Sequence, residues 1–126
     1  GKYSDANAGA CTSCPSGTYS STSQASSCTT CAVGTISASG VTVCSNCTAG
    51  KSSSPQSGFH QTCVACQAGT FSAVNGSACQ ECLAGSFSSD GATSCTQCAS
   101  GKTSQVSSRS CSNCTAGYFA AAGAVS

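Results

Sequence analysis

The sequence predicts a small disulfide-rich repeat array: an elongated rod of ~16-residue units with short β-strands and turns and little or no helix. Three observations support this prediction. Of the 126 residues, 14 are Cys and 14 are Gly, only 6% are charged, and Met and Trp are absent. The cysteines recur as C-x-x-C pairs at a nearly constant step, and a glycine follows each pair at a fixed distance. A fixed short period is typical of stacked units that contact mainly their neighbours.

The composition excludes an ordinary globular core. Apolar residues make up 39% of the chain, but Cys and Ala supply most of them, and there are only 4 Phe and 3 Tyr. Ordering a backbone costs roughly 1 to 2 kcal/mol per residue, which so little buried apolar area cannot offset. The cysteine content therefore favours a covalently cross-linked scaffold, formed in the secretory route outside the cytosol.

Charge and hydropathy exclude several classes of partner. The net charge is +1 and the charges are scattered singly, so the sequence lacks the basic patch that would predict nucleic-acid binding. No apolar run approaches the roughly 20 residues of a membrane span, and the start at Gly1 has no signal-peptide character. We expect an extracellular or cell-surface location, with the signal and any anchor outside this sequence.

Catalytic chemistry is not expected. His60 is the single histidine, and the three acids, Asp5, Glu81 and Asp90, lie far apart in an array whose units follow one another in sequence order. A nucleophile, its base and an orienting group therefore have no evident way to meet. We predict that the chain is not an enzyme and carries no cofactor or metal.

Every repeat contains the same short motif. A glycine, from Gly17 to Gly117, stands three residues after each pair, which predicts a turn with positive φ or a backbone too close to a disulfide to admit a Cβ. Two residues beyond it is usually a bulky side chain, such as Tyr19 or Phe71, which we expect to form the small core of its unit. A serine follows in all but the last repeat.

These motifs divide the chain into repeats. The predicted boundaries are 1–10 (the end of a preceding repeat), 11–27, 28–43, 44–62, 63–78, 79–94, 95–110 and 111–126 (incomplete at its C-terminal end). The repeat 44–62 is longer because of a Ser/Pro/Gly-rich loop insertion, Lys51 to Phe59. Because both ends cut the pattern, we expect the array to continue in both directions.

The 14 cysteines permit more than one chemistry. One scheme joins the second cysteine of each pair to the first of the next: Cys14 with Cys28, Cys31 with Cys44, Cys47 with Cys63, Cys66 with Cys79, Cys82 with Cys95, and Cys98 with Cys111. It leaves Cys11 and Cys114 for flanking repeats or another chain. The sequence alone also permits a crossed scheme, such as Cys11 with Cys28 and Cys14 with Cys31.

Zinc binding and redox activity are two further interpretations of the C-x-x-C pairs. The spacing suits four-thiolate zinc sites, but seven pairs do not divide evenly among such sites and the period is uniform. A redox-active pair of thioredoxin type needs a strand-to-helix setting, which the sequence lacks.

A family resemblance adds to the interpretation of the chain as a disulfide-rich repeat array. The segment Cys79-Gln-Glu-Cys82-Leu-Ala-Gly85-Ser-Phe87-Ser, running on to Cys95-Thr-Gln-Cys98, resembles the cysteine-rich modules of tumour-necrosis-factor receptors and the ephrin-receptor-like repeats. The motif C-x-x-C-x-x-G-x-[FY]-S recurs along essentially the whole chain. The resemblance implies the first pairing scheme and modules that stack end to end as rods. Long arrays of this kind also resemble segments of very large surface proteins of algae, ciliates and other protists, including mastigoneme proteins.

The monotony of the repeats favours a structural role, because a fibre needs the same unit many times. We predict a segment of a large secreted, glycosylated, fibrous or filament-forming extracellular protein, whose partners are other repeats, other copies in a fibre and covalent glycans. The candidate N-glycosylation sites are Asn46, Asn75 and Asn113. The alternative is a ligand-binding or adhesion ectodomain of a cell-surface receptor, for which the insertion around Pro55 to His60 is the distinguishing feature.

Overall fold

The computed structural model of this chain describes residues 1–5, 7, 9–53 and 62–118. Most of the predicted loop insertion, together with His60 and Phe119, lies outside the described residues. Within the described ranges the chain forms no helix, and therefore none that is long and apolar enough to cross a membrane. The regular structure there consists of very short β-strands joined by turns.

In the described residues, fourteen strands of two residues each follow one another. They are β1 (Lys2–Tyr3), β2 (Thr12–Ser13), β3 (Thr18–Tyr19), β4 (Thr29–Thr30), β5 (Thr35–Ile36), β6 (Ser45–Asn46), β7 (Lys51–Ser52), β8 (Val64–Ala65), β9 (Thr70–Phe71), β10 (Gln80–Glu81), β11 (Ser86–Phe87), β12 (Thr96–Gln97), β13 (Lys102–Thr103) and β14 (Ser112–Asn113).

Each odd-numbered strand pairs with the even-numbered strand that follows it. The odd strand begins directly after the repeat glycine, and the even strand is the x-x segment between the two cysteines of the next pair. The pairing is antiparallel, for example with Thr18 opposite Thr30 and Tyr19 opposite Thr29. These pairs and the disulfides described below confirm the predicted small disulfide-rich repeat array.

A tight turn connects each cysteine pair to its odd strand. In the first full repeat, the N–H and the Oγ1 of Thr18 both donate to the carbonyl oxygen of Pro15, at 3.1 and 2.7 Å. Gly17, the third residue of this turn, has φ +83°. A type II turn requires positive φ at that position, which favours glycine. The predicted positive-φ turn is therefore confirmed, and the hydroxyl residue after the glycine adds a second bond that closes it.

Among the residues that the structure describes, the buried side chains are small. They are the second cysteines Cys14, Cys31, Cys47, Cys66, Cys82 and Cys98, and the serines Ser20, Ser37, Ser52, Ser53, Ser72, Ser88 and Ser104. The prediction that bulky residues form the core is wrong, because Tyr19, Ile36, Phe71 and Phe87 are only half-buried. Adjacent residues of an extended segment point to opposite sides. The side of the segment that carries the serine is covered by a neighbouring repeat.

By their contacts the residues fall into two compact units. The first comprises Gly1–Thr48, Ser52–Val64 and Asn75–Ala78, and the second comprises Ala49–Lys51, Ala65–Val74 and Cys79–Ser126. The three disulfides from Cys14 to Cys63 lie within the first, and the three from Cys66 to Cys111 lie within the second. Each compact unit is therefore cross-linked internally.

One turn has a residue that its backbone does not favour. Ser107 has φ +59°, whereas the corresponding turns of other repeats have a glycine at this position: Gly40, Gly76 or Gly91. The Oγ of Ser107 is buried and has no hydrogen-bond partner among the described residues. We expect Ser107→Gly to stabilise the oxidised chain by about 1 kcal/mol, because it removes a left-handed non-glycine residue and an unsatisfied hydroxyl. Denaturant unfolding of the oxidised protein measures this change.

The reverse change is the control. Gly91→Ser, at φ +72°, introduces the same strain where the nearest atom to a new Cβ is the Cβ of Ala65 at 3.8 Å. A loss of about 1 kcal/mol is expected there. Equal stabilities for wild type and Ser107→Gly would contradict this account of the turn.

Candidate functional site

Six disulfides link successive repeats. The bonded pairs are Cys14–Cys28, Cys31–Cys44, Cys47–Cys63, Cys66–Cys79, Cys82–Cys95 and Cys98–Cys111, the same pairs that the family resemblance implies. Each bond closes one loop of 13 to 16 residues, measured by sequence separation. In the described residues Cys11, which is exposed, and Cys114, which is partly exposed, form no disulfide.

Backbone hydrogen bonds join each loop to the next. The N–H of Cys31 donates to the carbonyl oxygen of Gly17 in the preceding loop, at 3.0 Å. The same bond recurs from Cys66 to Gly50 at 2.9 Å, and further bonds of this kind run from Cys14, Cys47, Cys82, Cys98 and Cys114. The repeat glycine therefore supplies an acceptor to the buried cysteine of the loop that follows it.

The buried serine supplies the second link between loops. The N–H of Gly69 donates to both the carbonyl oxygen and the Oγ of Ser88, each at 3.0 Å. The Oγ of Ser88 in turn donates to the carbonyl oxygen of Thr70 at 2.9 Å. Ser37 and Ser104 make the equivalent donation to Thr18 and Ser86, at 2.9 and 2.8 Å. A serine hydroxyl is small enough to be buried here and can both donate and accept.

Removing one of these hydroxyls tests its contribution. Ser88→Ala is expected to destabilise the oxidised chain by about 1 to 2 kcal/mol, because the Thr70 carbonyl loses its donor and the Gly69 N–H loses one of two acceptors. The control is Ser89→Ala at the exposed neighbouring position, which should change stability by less than about 0.5 kcal/mol. Denaturant unfolding compares the two variants, and equal losses would contradict the assigned role.

A third kind of contact joins a loop to the second loop after it along the chain. A Cβ placed on Gly50 would lie 2.3 Å from the carbonyl oxygen of Gly91, two loops further along. The N–H of Gly91 donates to the carbonyl oxygen of Cys66, in the intervening loop, at 2.7 Å. Three consecutive loops therefore meet at one turn. The sequence predicted at the repeat glycine either a positive-φ turn or a close approach to a disulfide. The structure shows the positive-φ turn, and the close approach that it shows at Gly50 is to a backbone carbonyl.

The same arrangement recurs in both compact units. In the first, a Cβ on Gly34 would lie 2.3 Å from the carbonyl oxygen of Gly76, and in the second, a Cβ on Gly69 would lie 2.0 Å from that of Ser107. The N–H groups of Gly76 and Ser107 donate to Cys47 and Cys82, each at 2.9 Å. The geometry of the array is thus set by backbone groups, disulfides and serine hydroxyls.

The three candidate glycosylation sites are exposed. Asn46 and Asn113 occupy equivalent positions at the ends of β6 and β14, each directly before the second cysteine of a pair. Asn75 lies instead in a turn, directly before Gly76 with φ +78°. The structure does not bring these three side chains together into one site.

The two acidic residues of the second compact unit, Asp90 and Glu81, lie in different local settings. Asp90 holds a turn, since its Oδ1 accepts a hydrogen bond from the N–H of Ala68 at 2.7 Å. Glu81 lies on the exposed strand β10. In the part of the chain that the structure describes, no three His, Cys, Asp or Glu side chains are grouped so as to hold a metal ion.

One surface feature was not predicted. A groove of about 530 Å³ in the second compact unit is lined by Phe71, Gln80, Glu81, Leu83 and Gln97, among others. The side chain of Leu83, which lines this groove, is 78% exposed. Leu83 occupies a variable position after the second cysteine, where other repeats have Pro15, Thr48 or Gln67, so the repeat motif gave no signal for it.

These observations define a disulfide-rich repeat module of the extracellular kind, because such bonds persist outside the cytosol. A family model described as tyrosine-protein kinase ephrin type A/B receptor-like matches residues 1–40, which is less than half of the chain. The match supports the ephrin-receptor-like part of the resemblance and points to a non-catalytic extracellular module. No curated protein matches the chain.

Proposed function

We propose that this chain is a structural segment of a large, secreted, glycosylated, fibrous or filament-forming extracellular protein. The observation that carries the proposal is the recurrence of the same atoms in the same bonds from loop to loop. The N–H of the second cysteine donates to a repeat glycine, and the N–H of Gly17, Gly50, Gly69 or Gly85 donates to the carbonyl oxygen of a serine in the next loop.

This pattern suits a repeating material better than a single specific site. Backbone groups and cysteines make most of the contacts between loops, so the side chains between them can vary without loss of the stack. Stability is then a sum of similar contributions from each repeat and its neighbours. We propose that the predicted repeats from 11–27 to 111–126 are these units and that they stack as an elongated, stiff and protease-resistant rod.

The remaining site residues have roles under the same proposal. Cys11 and Cys114 pair with cysteines of flanking repeats, and Asn46, Asn75 and Asn113 carry glycans that keep a weakly charged rod soluble. The resemblance to tumour-necrosis-factor-receptor modules and to mastigoneme and other protist surface proteins motivates the filament role. Its partners are further repeats and other copies of the protein.

Electron microscopy of the native, oxidised material tests the proposal, with a reduced and alkylated sample as its control. Rods or filaments of even width in the oxidised sample, and their loss after reduction, are the expected result. Compact particles in the oxidised sample would overturn the structural role.

A receptor or adhesion ectodomain is the second candidate, favoured by the groove beside Leu83. That groove combines an exposed aliphatic side chain, the half-buried ring of Phe71 and the carboxylate of Glu81, and so makes this part of the array differ from the rest of the described repeats. The full-length gene product separates the two functions. A transmembrane segment with a cytoplasmic signalling domain would favour the receptor, and many further repeats would favour the fibre.

A further inference from the structure

The turn formed by Asn75 and Gly76 contains a chemically reactive dipeptide. The backbone nitrogen of the residue after an asparagine can attack the side-chain amide, and glycine hinders that attack least because it has no Cβ. All three sequon asparagines are exposed. Asn75 precedes a glycine, whereas the other two precede cysteines, Cys47 and Cys114. Asn75 is therefore the one of the three that is set up chemically for this reaction.

The folded turn holds the attacking nitrogen in place. The N–H of Gly76 donates to the carbonyl oxygen of Cys47 at 2.9 Å, and Cys47 is 1% exposed and bonded to Cys63. The side chain of Asn46 lies against the same glycine, since its Oδ1 is 2.8 Å from the position of a Cβ on Gly76. Attack requires this N–H to lose its proton and to leave its carbonyl acceptor. The closed turn therefore opposes the reaction.

An equivalent turn shows that the hydrolysed side chain would fit. Asp90 and Gly91 stand in the second compact unit as Asn75 and Gly76 stand in the first, because the N–H of Gly91 donates to the carbonyl oxygen of Cys66 at 2.7 Å. The Oδ1 of Asp90 accepts a bond from the N–H of Ala68 at 2.7 Å. An aspartate at this turn position is thus compatible with the array. An isoaspartate, which adds a methylene to the backbone, would shift the glycine N–H away from its acceptor.

We propose that Asn75 is a deamidation site that the closed turn protects and that becomes reactive when this part of the array opens. The Gly76 nitrogen forms a bond to Cγ of Asn75 and loses its proton, and the Cγ–Nδ2 bond breaks to release ammonia. Water then opens the resulting succinimide to aspartate or isoaspartate. A glycan on Nδ2 would alter the leaving group, so the proposal concerns chains without a glycan at Asn75 and does not rest on the fibre function.

The protein is produced by secretion to a bacterial periplasm, so that no N-glycan is attached. The test compares one portion that is kept oxidised with another that is reduced and alkylated. Both are incubated at mildly alkaline pH, and peptide mapping by mass spectrometry follows the conversion of Asn75. We expect Asn75 to deamidate at least about tenfold more slowly in the oxidised protein, because local opening limits the reaction there. Equal rates in the two samples would overturn the proposal.

Two comparisons keep the result specific. Asn46 and Asn113, which precede cysteines, serve as internal controls and should convert more slowly than Asn75 in the reduced chain; comparable conversion of all three would count against the proposal. Asn75→Asp should leave the unfolding midpoint of the oxidised protein unchanged, as the Asp90 turn implies. A clear fall in that midpoint would contradict the claim that aspartate fits.

Discussion

Reducing the six disulfides is expected to unfold the described array completely. The buried side chains of the described residues are cysteines and serines, so reduction leaves this part of the chain without an apolar interior to maintain its fold. Closing a loop such as that of Cys66 and Cys79, with a sequence separation of 13, contributes roughly 3 kcal/mol in the chain-entropy model. Hydrogen exchange measures the result at the N–H groups of Cys31, Cys66 and Cys82, which donate to glycine carbonyls.

We expect these amides to be protected in the oxidised protein and to exchange at unfolded-chain rates after reduction. A single deleted bridge is the graded control. Cys98→Ala with Cys111→Ala should cost about 3 kcal/mol and leave the Cys31 amide protected, because each repeat contacts mainly its neighbours. Retained protection of all three amides in the fully reduced chain would show that something other than sulfur stabilises the fold.

Gly50→Ala is expected to have the second-largest effect. Its backbone has φ +81°, which an alanine adopts at a cost of about 1 to 2 kcal/mol. The new Cβ would also lie 2.3 Å from the carbonyl oxygen of Gly91, so the turn two loops away must move. Displacing that turn weakens the bond from the Gly91 N–H to Cys66, and overpacking of this kind adds about 1 to 3 kcal/mol.

The chain offers a matched control for this substitution. Gly101 has the same φ of +81°, and no described atom lies within 4 Å of a Cβ placed on it. Gly101→Ala should therefore show only the backbone cost, about 1 to 2 kcal/mol. Denaturant unfolding of the two oxidised variants isolates the contact between loops. Equal losses would mean that the close approach at Gly50 does not constrain the array.

Cysteine spacing and the repeat glycine were enough to predict the fold class. At Gly17, the fixed distance from the cysteine pair indicated a positive-φ turn because few other residues adopt that conformation. The disulfide pairing followed from the family resemblance, because spacing alone permitted a crossed scheme. What local pattern can predict is therefore the turn and the period, since both depend on residues close together in sequence.

The contacts between loops were harder to predict. The serine row was visible in the sequence, but its hydrogen bonds join residues 18 or 19 positions apart, such as Ser88 with Thr70 and Gly69. The bulky residue beside it was wrongly assigned to the core, because hydrophobicity suggested burial whereas the space between stacked loops contains sulfur and a hydroxyl. The groove beside Leu83 depends on one variable residue, which a repeat motif does not describe.

The most direct test of the account is to map the disulfides of the intact, oxidised protein by digestion without reduction and mass spectrometry. The stacked loops require peptides that join the second cysteine of each pair to the first cysteine of the next, such as Cys66 with Cys79, and no other bonds among the twelve cysteines of the six disulfides. Crossed bonds such as Cys14 with Cys31, or free thiolates that release stoichiometric zinc, would contradict this pairing.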